Sequence, residues 1–339
     1  MRLSAYRYRL IPTRPQGSAL ARWAGCVRWV YNAALAERDR VYKATGKGAG
    51  LSALGKCLTA WRAEHDWLRA APVDAAQQSI RDLIDAYTRF FKGQNNRPTF
   101  KKKGKSRDAF RLPQRKSGSG MALRIERSNR RRARLKLPKI GWVRLHYTRA
   151  IRGEIRNVTI SRDAGQWFVS ILCGEEGEHP APPEDVDSSE TVGLDLGVAQ
   201  SITTSDGEAI NVPTMSKGDE RHRKRLQRRM GRRQGPRKGK APSKRWLKAR
   251  AALQRFDQRW RFKRRDFIHK ATSRLIRENQ AISIEDLKVK NMTRRARGRG
   301  RAAKAGLNRS ILAQSWGESR RQLSYKAERA GVRLLVVDP

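Results

Sequence analysis

The sequence has few cysteines, few acidic side chains and no long apolar run. Its three cysteines, Cys26, Cys57 and Cys173, lie far apart and form no C-x-x-C pair, so neither a zinc site nor a disulfide framework is predicted. The five histidines show no metal-ligand spacing either. No stretch approaches the ~18 apolar residues of a membrane-spanning helix, and no apolar leader follows Met1. We therefore expect a protein of the cytoplasm or the nucleoid, with no membrane partner.

Acidic residues are scarce relative to basic ones, and this imbalance is the strongest compositional signal. The 339 residues include 77 Lys and Arg against 31 Asp and Glu, which gives a formal net charge of +46 and a pI near 11.5. Such an excess predicts a polyanionic partner, most simply RNA or DNA. The basic residues are spread over the whole length, which argues against one amphipathic segment on a membrane surface. A chain of this length is expected to form two or three domains.

The first 92 residues combine one predicted strand with three predicted helices. Residues 4–11 alternate polar and apolar side chains, as a strand does, and Pro12 and Pro15 end this pattern. Apolar residues then recur at intervals of three and four, which predicts amphipathic helices. These helices span residues 16–45, 51–65 and 73–92. The aromatic stripe on the third helix is interpreted as the core of a helical bundle.

Short strands follow the helices. They are predicted at 109–113, 121–126, 133–137, 142–147, 155–162 and 166–173. Asp163-Ala164-Gly165, between the last two, is a hairpin signal. We predict a small antiparallel β-barrel formed by residues 1–15 and 93–173, with residues 16–92 inserted as a helical bundle.

The second half begins after a linker and alternates strands with helices. Residues 174–190 are acidic and proline-rich, unlike their surroundings, which predicts the domain linker. Three strands (TVGLDLG, AQSITTS and EAINVP) then form a meander, and residues 216–279 predict a long helical hairpin with a basic outer face. A strand at 281–284, a mobile basic loop at 293–309, a helix at 310–330 and a strand at 332–337 follow. The second domain is therefore predicted to span residues 191–339.

Two basic stretches are candidate contacts for a nucleic-acid backbone. The first is the loop 93–108, which carries Lys101, Lys102 and Lys103. Charge runs are commonly solvated, but contact with phosphates is at least as good an interpretation of this loop. The second stretch is the first half of the helical hairpin. Its candidate residues are Arg228, Arg229, Arg232 and Arg233.

Asp195 and Glu285 each end a short apolar strand, the first and the fourth of the second domain. The elements of this domain follow the order of an RNase H-like fold: three strands, then helices, a strand, a helix and a last strand. In that fold the first and fourth strands pair in parallel. Since neighbouring strands lie about 5 Å apart, the two carboxylates can share a Mg²⁺ or Mn²⁺ ion. Two such ions about 4 Å apart can activate a water and stabilise a leaving oxygen. The structural alternative is that Asp195 is a turn residue before Gly197 and Glu285 an acid at a helix N-terminus.

The acid on the fourth strand is informative, and several sequence segments resemble a known family. Glu on the fourth strand favours a RuvC-type site over a strand-transfer transposase, which carries Asp there. The segments GLDLGVAQSITTSDG, ISIEDLKVKNM and SWGESRRQLSYKAERAGVRLLVVDP resemble the RuvC segments of TnpB, the RNA-guided nuclease of insertion sequences that is also called OrfB and is related to type V CRISPR effectors. YRYRLIPTRPQ, WVYNAAL, QQSIRDLIDAYTRFF and RPTFKKK resemble its N-terminal half.

The resemblance implies a complete functional scheme. It implies a wedge-type barrel with a helical recognition lobe, a RuvC nuclease domain, a guide RNA from the transposon end, and cleavage of double-stranded DNA beside a short adjacent motif in a prokaryotic cell. Asp195 and Glu285 match the family's first two catalytic acids, and Gln77 lies where its recognition helix reads the adjacent motif. Gln can read an adenine edge, although an ordinary surface role suits Gln77 equally well.

The sequence departs from the family pattern at its end. The family continues with a four-cysteine zinc ribbon and an Asp-x-Asn segment that holds a third acid, whereas this sequence stops at Pro339. Zn²⁺ is therefore expected only in that missing ribbon, and cleavage by the chain as given is expected to be impaired. Asp338 matches a non-catalytic family position.

Three functions remain open from the sequence. The first is an RNA-guided DNA endonuclease, and the second is a nuclease-inactive RNA-guided DNA-binding repressor or regulator of transposition. The third is a basic RNA-binding protein of ribosomal type, against which the ordered pair of strand-end acids argues. In all three, affinity for nucleic acid is expected to fall steeply with salt.

Overall fold

A computed structural model describes residues 1–117, 120–237, 239–295 and 300–338. The chain divides into two compact units, Met1–Gly177 and Glu178–Pro339. The division falls inside the stretch 174–190 that the sequence predicts as a linker.

The helices of the first unit lie close to their predicted bounds. Among the described residues they are α1 (Arg14–Thr45), α2 (Leu51–Glu64) and α3 (Val73–Phe91), with a short 3-10 helix at Asp66–Ala70. Helix α1 begins earlier than predicted because Thr13 caps it: the Thr13 hydroxyl accepts from the Gln16 N–H and the Gln16 side chain accepts from the Thr13 N–H. It ends at Gly46, whose φ of 70° suits a residue without a side chain.

The strands of the first unit form one antiparallel sheet and one small ribbon. They are β1 (Arg2–Ile11), β2 (Ala109–Pro113), β3 (Lys116–Ser117), β4 (Gly120–Met121), β5 (Arg124–Asn129), β6 (Arg132–Leu137), β7 (Gly141–His146), β8 (Glu154–Asp163) and β9 (Gln166–Glu175). The seven-stranded sheet has the order β2-β8-β9-β1-β7-β6-β5, and β3 pairs with β4. The predicted hairpin is confirmed: Asp163 pairs with Gln166, and Ala164 and Gly165 both have positive φ.

The sheet and the helices of this unit share one core. Buried side chains of α1 such as Trp23 and of α3 such as Leu83 belong to the same apolar cluster as Phe110 of β2 and Val169 of β9. At the sheet edges, the Gln114 side-chain amide makes two hydrogen bonds of 2.8 Å with the Leu123 backbone, which links the end of β2 to the start of β5. A closed barrel and a separate helical lobe both stay predictions.

The second unit contains five strands and five helices within its described residues. The strands are β10 (Thr191–Asp195), β11 (Ile202–Thr204), β12 (Ala209–Ile210), β13 (Ala281–Glu285) and β14 (Arg333–Val337). The helices are α4 (Lys217–Gly231), α5 (Lys244–Glu278), α6 (Val289–Met292), α7 (Arg301–Gln314) and α8 (Trp316–Ala330), and a 3-10 turn covers Ser188–Glu190. The prediction of a mobile loop at 293–309 is wrong for residues 301–309. These residues belong to α7, because their alanines and lysine favour a helix. Residues 296–299 of that loop lie outside the described part of the chain.

The strand order of the second sheet is β12-β11-β10-β13-β14. Strands β10, β13 and β14 run parallel, and β11 and β12 form the antiparallel meander. The predicted parallel pairing of the first and fourth strands is therefore present. Ile282 and Ile284 of β13 and Leu323 of α8 lie in one buried cluster, which fixes the helices on the sheet. No described helix combines the length and apolarity needed to cross a membrane.

Candidate functional site

The two predicted acids end adjacent parallel strands. Thr191 pairs with Ala281 and Leu194 with Ile284, so the register makes Asp195 and Glu285 the next pair. Side chains alternate along a strand, and Leu194 and Ile284 are buried; Asp195 and Glu285 therefore share the opposite face. The structure brings the two carboxylates to one end and one face of the sheet, with strands about 4.8 Å apart.

Both carboxylates lack a cationic partner among the residues that the structure describes. Asp195 is exposed and Glu285 is partly buried. Within the ranges 1–117, 120–237, 239–295 and 300–338, neither side chain takes part in a hydrogen bond or an ion pair. In a chain with 77 Lys and Arg, an acid at a strand end could easily have been neutralised. The unneutralised pair suits a bound cation.

The neighbouring acids lie in different environments. Asp286 follows Glu285 directly, but its carboxylate accepts from the Arg320 guanidinium of α8, and its N–H donates to the Val337 carbonyl at 2.7 Å. Asp338 follows β14, whose Val337 pairs with Glu285, so Asp338 lies near the same sheet edge. It nevertheless does not complete a group of three possible metal ligands, since the described residues contain no such group.

The loop that follows Asp195 is held by a buried polar network. The Ser201 hydroxyl donates to the Gln314 side chain at 2.5 Å and accepts from the Val212 N–H at 2.9 Å. Gln314 in turn donates to the Val198 carbonyl at 2.9 Å, and Trp316 donates to the Ser201 carbonyl at 3.0 Å. These bonds connect the end of α7 and the start of α8 to the loop. They fix the backbone behind Asp195.

Two carboxylates suit a Mg²⁺ or Mn²⁺ site that substrate completes. Mg²⁺ is usually held by one or two carboxylates together with waters and phosphate oxygens. Asp195 and Glu285 supply these two hard oxygen ligands, and no guanidinium covers them among the residues described. The donor set does not suit a closed zinc site, which needs four N or S ligands.

A second polar cluster lies between α5 and α8. The Lys326 ammonium donates to the His269 carbonyl and to the Thr272 and Ser273 hydroxyls at 2.6–2.9 Å. Burial lowers the pKa of Lys326 to about 8. Burial first, and then the Lys326 charge, lower the pKa of His269 to about 4. These hydrogen bonds connect α5 with α8 and stabilise the contact between the two helices.

Glu318 joins the same contact as its acidic member. It pairs with Arg321 at 2.7 Å and Arg265 at 3.3 Å, and it accepts from Gln322 at 2.9 Å. Burial opposes its ionisation, but these hydrogen bonds and charges outweigh burial and lower the pKa of Glu318 to about 2. This carboxylate is fully neutralised by arginine, unlike the pair at the strand ends.

The predicted basic residues fall into different positions. Arg229, Arg232 and Arg233 line one cleft at the junction of α4 and α5, whereas Arg228 does not line it.

The Lys101 ammonium lies 3.6 Å from the centre of the Tyr31 ring, and burial lowers the pKa of Lys101. The neighbouring side chains of Lys102 and Lys103 are exposed. A phosphate contact therefore suits these two lysines better than Lys101.

Gln77 is exposed on α3. Its side-chain carbonyl accepts from Arg115 at 3.3 Å, and Arg115 also pairs with Asp74 at 2.6 Å. Reading of an adjacent DNA motif by Gln77 stays a prediction. Its neighbour Arg115 is a second polar group on the same surface that the sequence did not single out.

Sequence reasoning missed the residues that support the site. Ser201 and Trp316 lie in segments that resemble the family, but no local pattern predicts their bonds with each other and with Gln314, which join residues more than a hundred positions apart. Arg225 was also missed, although its spacing from Arg229 signals a shared helix face.

Comparisons with known proteins identify the family. A profile described as "Probable transposase" (OrfB_IS605) matches residues 175–296, and one described as "Helix-turn-helix domain" (HTH_OrfB_IS605) matches residues 1–47. The chain is 36% identical over 346 residues to the "Putative RNA-guided DNA endonuclease InsQ" of Escherichia coli (strain K12), with 100% of this chain and 81% of the relative covered. It is 33% identical over 340 residues to a "Putative RNA-guided DNA endonuclease" of Streptomyces pristinaespiralis, covering 98% and 77%.

A solved structure shares the fold. A chain in the "Cryo-EM structure of the Cas12f1-sgRNA-target DNA complex" superposes with a TM-score of 0.53 at 14% identity, covering 95% of this chain and 73% of that one. The family profiles and the relatives together place the chain in the class of OrfB-type transposase proteins of insertion sequences, and its fold resembles that of the Cas12f1 chain. The chain belongs to the TnpB (OrfB) family within that class. Its residues 1–47 form one strand and one continuous helix rather than two helices joined by a turn.

Proposed function

We propose that this chain is an RNA-guided, metal-dependent DNA endonuclease encoded by an insertion sequence, which cuts double-stranded DNA beside a short adjacent motif. The observation that carries this proposal is the placement of Asp195 and Glu285 at one end and on one face of paired parallel strands, with no cationic partner among the described residues. The net charge of +46 supports a guide RNA and a target duplex as partners.

The finer architecture belongs to the same proposal. The strand order β12-β11-β10-β13-β14 supports an RNase H-like, RuvC-type nuclease domain from residue 191 onward. The antiparallel sheet of the first unit supports a wedge-type barrel formed by residues 1–15 and 93–173. Residues 16–92 would then be the recognition lobe, with Gln77 of α3 reading the adjacent motif.

The mechanism assigns separate tasks to residues of this chain. Asp195 and Glu285 would hold Mg²⁺ or Mn²⁺, which when bound supplies Lewis-acid activation of water and of the phosphodiester. Arg320 binds Asp286, which keeps that guanidinium away from Glu285. Gln314 and Trp316 fix the loop behind Asp195, so its carboxylate is positioned before substrate arrives. Base pairing to the RNA supplies the sequence specificity, as in other RNA-guided effectors.

The test is a cleavage assay with the chain purified together with its RNA. Mg²⁺ and a duplex that matches the RNA are added, and wild type is compared with Asp195→Asn and Glu285→Gln. We expect wild type to cut the duplex and both variants to bind it without cutting. Cleavage by Asp195→Asn at the wild-type rate would refute the proposed site.

A second candidate function is a nuclease-inactive, RNA-guided DNA-binding repressor or regulator of transposition. It is favoured by one observation: the described residues contain no group of three His, Cys, Asp or Glu that could hold a metal ion. This function predicts RNA-dependent duplex binding by wild type and Asp195→Asn alike, with no Mg²⁺-dependent cleavage by either. Cleavage by wild type would exclude it.

A further inference from the structure

A cleft of about 560 Å³ lies where the end of α4 meets the start of α5. Five arginines line it: Arg225, Arg229, Arg232, Arg233 and Arg245. The first four follow one another at intervals of four, three and one residues, which places them on one side of α4 and its C-terminal turn. Arg245 comes from the first turn of α5, so two separate helices contribute to one basic surface.

The backbone around this cleft is held in place before any ligand binds. The Ser243 N–H donates to the Gln234 carbonyl at 3.0 Å, and Ser243 caps α5 by accepting from the Trp246 N–H at 3.1 Å. Behind the cleft, Leu226 of α4 packs with Phe256 and Trp260 of α5 in a buried cluster. The arginines therefore extend from a fixed scaffold, which lowers the entropy lost when they bind.

No acidic side chain lines the cleft among the residues that the structure describes. Arg225 contacts the His222 ring at 2.8 Å, and the Arg233 Nε donates to the Arg229 carbonyl at 3.0 Å, but neither contact removes charge. The start of the 35-residue helix α5 adds further positive potential. Five guanidinium groups that repel one another favour a polyanion in the cleft.

We propose that this cleft binds consecutive phosphates of a single-stranded stretch of the RNA that the chain carries, a proposal that rests on the RNA partner of the proposed function. Arginine forks bind phosphate oxygens in pairs. The volume is that of a small-ligand site, which accepts a few phosphates of one strand rather than a duplex. No aromatic residue is among those that line it, so the backbone is held rather than the bases. Arginine forks bind phosphates of either nucleic acid, so the footprinting below is designed to separate the RNA from a DNA strand.

The first test measures binding of inorganic tripolyphosphate to the full-length, RNA-free chain by titration calorimetry. The double variant Arg229→Ala/Arg232→Ala removes two lining arginines, and the control Arg221→Ala/Lys224→Ala removes two basic residues of the same helix that do not line the cleft. We expect affinity to fall at least about tenfold in the first and less than about twofold in the control. Equal losses in the two variants would overturn the proposal.

Arg229→Lys/Arg232→Lys keeps the charge and removes the guanidinium forks, so it guards against an unfolded alanine variant. We expect its affinity to lie between wild type and the alanine variant; wild-type affinity in both lining variants would again overturn the proposal. The second test is nuclease footprinting of the RNA-bound chain. We expect Arg229→Ala/Arg232→Ala to lose protection of one short single-stranded RNA segment only.

Loss of protection on a DNA strand instead of the RNA would overturn the assignment to RNA. The outcome is separable from the proposed function. A chain that protects this RNA segment through the lining arginines but never cuts DNA would keep this inference and refute the endonuclease. A chain that cuts DNA but binds tripolyphosphate and RNA equally in both double variants would keep the endonuclease and refute this inference.

Discussion

Within the described part of the second unit, two clusters of like charge have no counter-charge beside them. Asp195 and Glu285 are brought together by the register of parallel strands, whereas the five arginines of the α4–α5 cleft are brought together by the period of a helix. Several other charges of this unit are paired, as in Arg274–Glu208 at 2.5 Å or Arg223–Asp257 at 2.8 Å. The difference between paired and unpaired charges indicates where ligands of opposite sign belong: a cation at the strand ends, and phosphates in the cleft.

The largest expected effect separates Glu285 from its neighbour Asp286. If the unpaired carboxylate is the functional one, Glu285→Gln lowers single-turnover cleavage by about three orders of magnitude or more. Asp286→Asn, which changes an acid that already pairs with Arg320, lowers cleavage by less than about tenfold. Equal losses in the two variants would remove the distinction between paired and unpaired acids at this edge.

The next largest effect concerns the hydrogen bonds of Ser201, Gln314 and Trp316, which hold the loop after Asp195. Gln314→Leu removes the bonds to Ser201 and Val198 and leaves buried polar groups unpaired, which is expected to cost about 2 kcal/mol of unfolding free energy. Urea unfolding measures this loss, and cleavage is expected to fall while RNA binding stays intact. Gln227→Leu, on the exposed surface of α4, is the control and changes stability by less than about 0.5 kcal/mol. A stable, fully active Gln314→Leu would show that the loop does not depend on this network.

A smaller effect concerns His269. The fold favours the neutral form of its ring, whereas it leaves the charges of the two clusters in place. Its pKa is about 4 in the folded chain against 6.5 ordinarily, because of burial and the facing charges of Lys326 and Arg265. Between pH 4 and pH 6.5 the unfolded chain binds the extra proton, so stability rises with pH across this window. Because His269 is only half-buried, solvent screening limits the rise to about 1–2 kcal/mol. His269→Gln is expected to flatten that rise in urea unfolding measured at pH 4.5 and pH 7. An unchanged pH dependence in the variant would show that His269 does not cause the rise in stability.

The smallest effect concerns the scaffold of the arginine cleft. A Cβ at Gly235 would lie 3.0 Å from the Trp246 Nε1, so Gly235→Ala forces the turn or the indole to move and is expected to cost about 1 kcal/mol. At Gly231, in the last turn of α4, a Cβ meets nothing within 4 Å among the described residues outside its own helix, and Gly231→Ala is expected to stabilise by about 0.5 kcal/mol. Thermal unfolding compares the two variants. Equal stability changes would mean that the turn adapts freely.

Much of the second unit could be predicted from the sequence. Strong apolar runs ending on Asp195 and Glu285 gave both the strands and their parallel pairing, because strand order limits the possible topologies. The first part of α7, residues 301–309, was missed since its basic composition resembles that of a disordered loop, while its helical propensity is high. The pairing of Arg320 with Asp286 and the stacking of Lys101 on Tyr31 depend on long-range packing, which no local pattern contains.

The most direct test of the cation site is Mn²⁺ binding, measured by electron paramagnetic resonance on the purified RNA-free chain. The account predicts that Asp195→Asn and Glu285→Gln each weaken Mn²⁺ binding at least about tenfold, while Asp286→Asn leaves it unchanged. Unchanged binding in Asp195→Asn or Glu285→Gln, or a loss confined to Asp286→Asn, would contradict it.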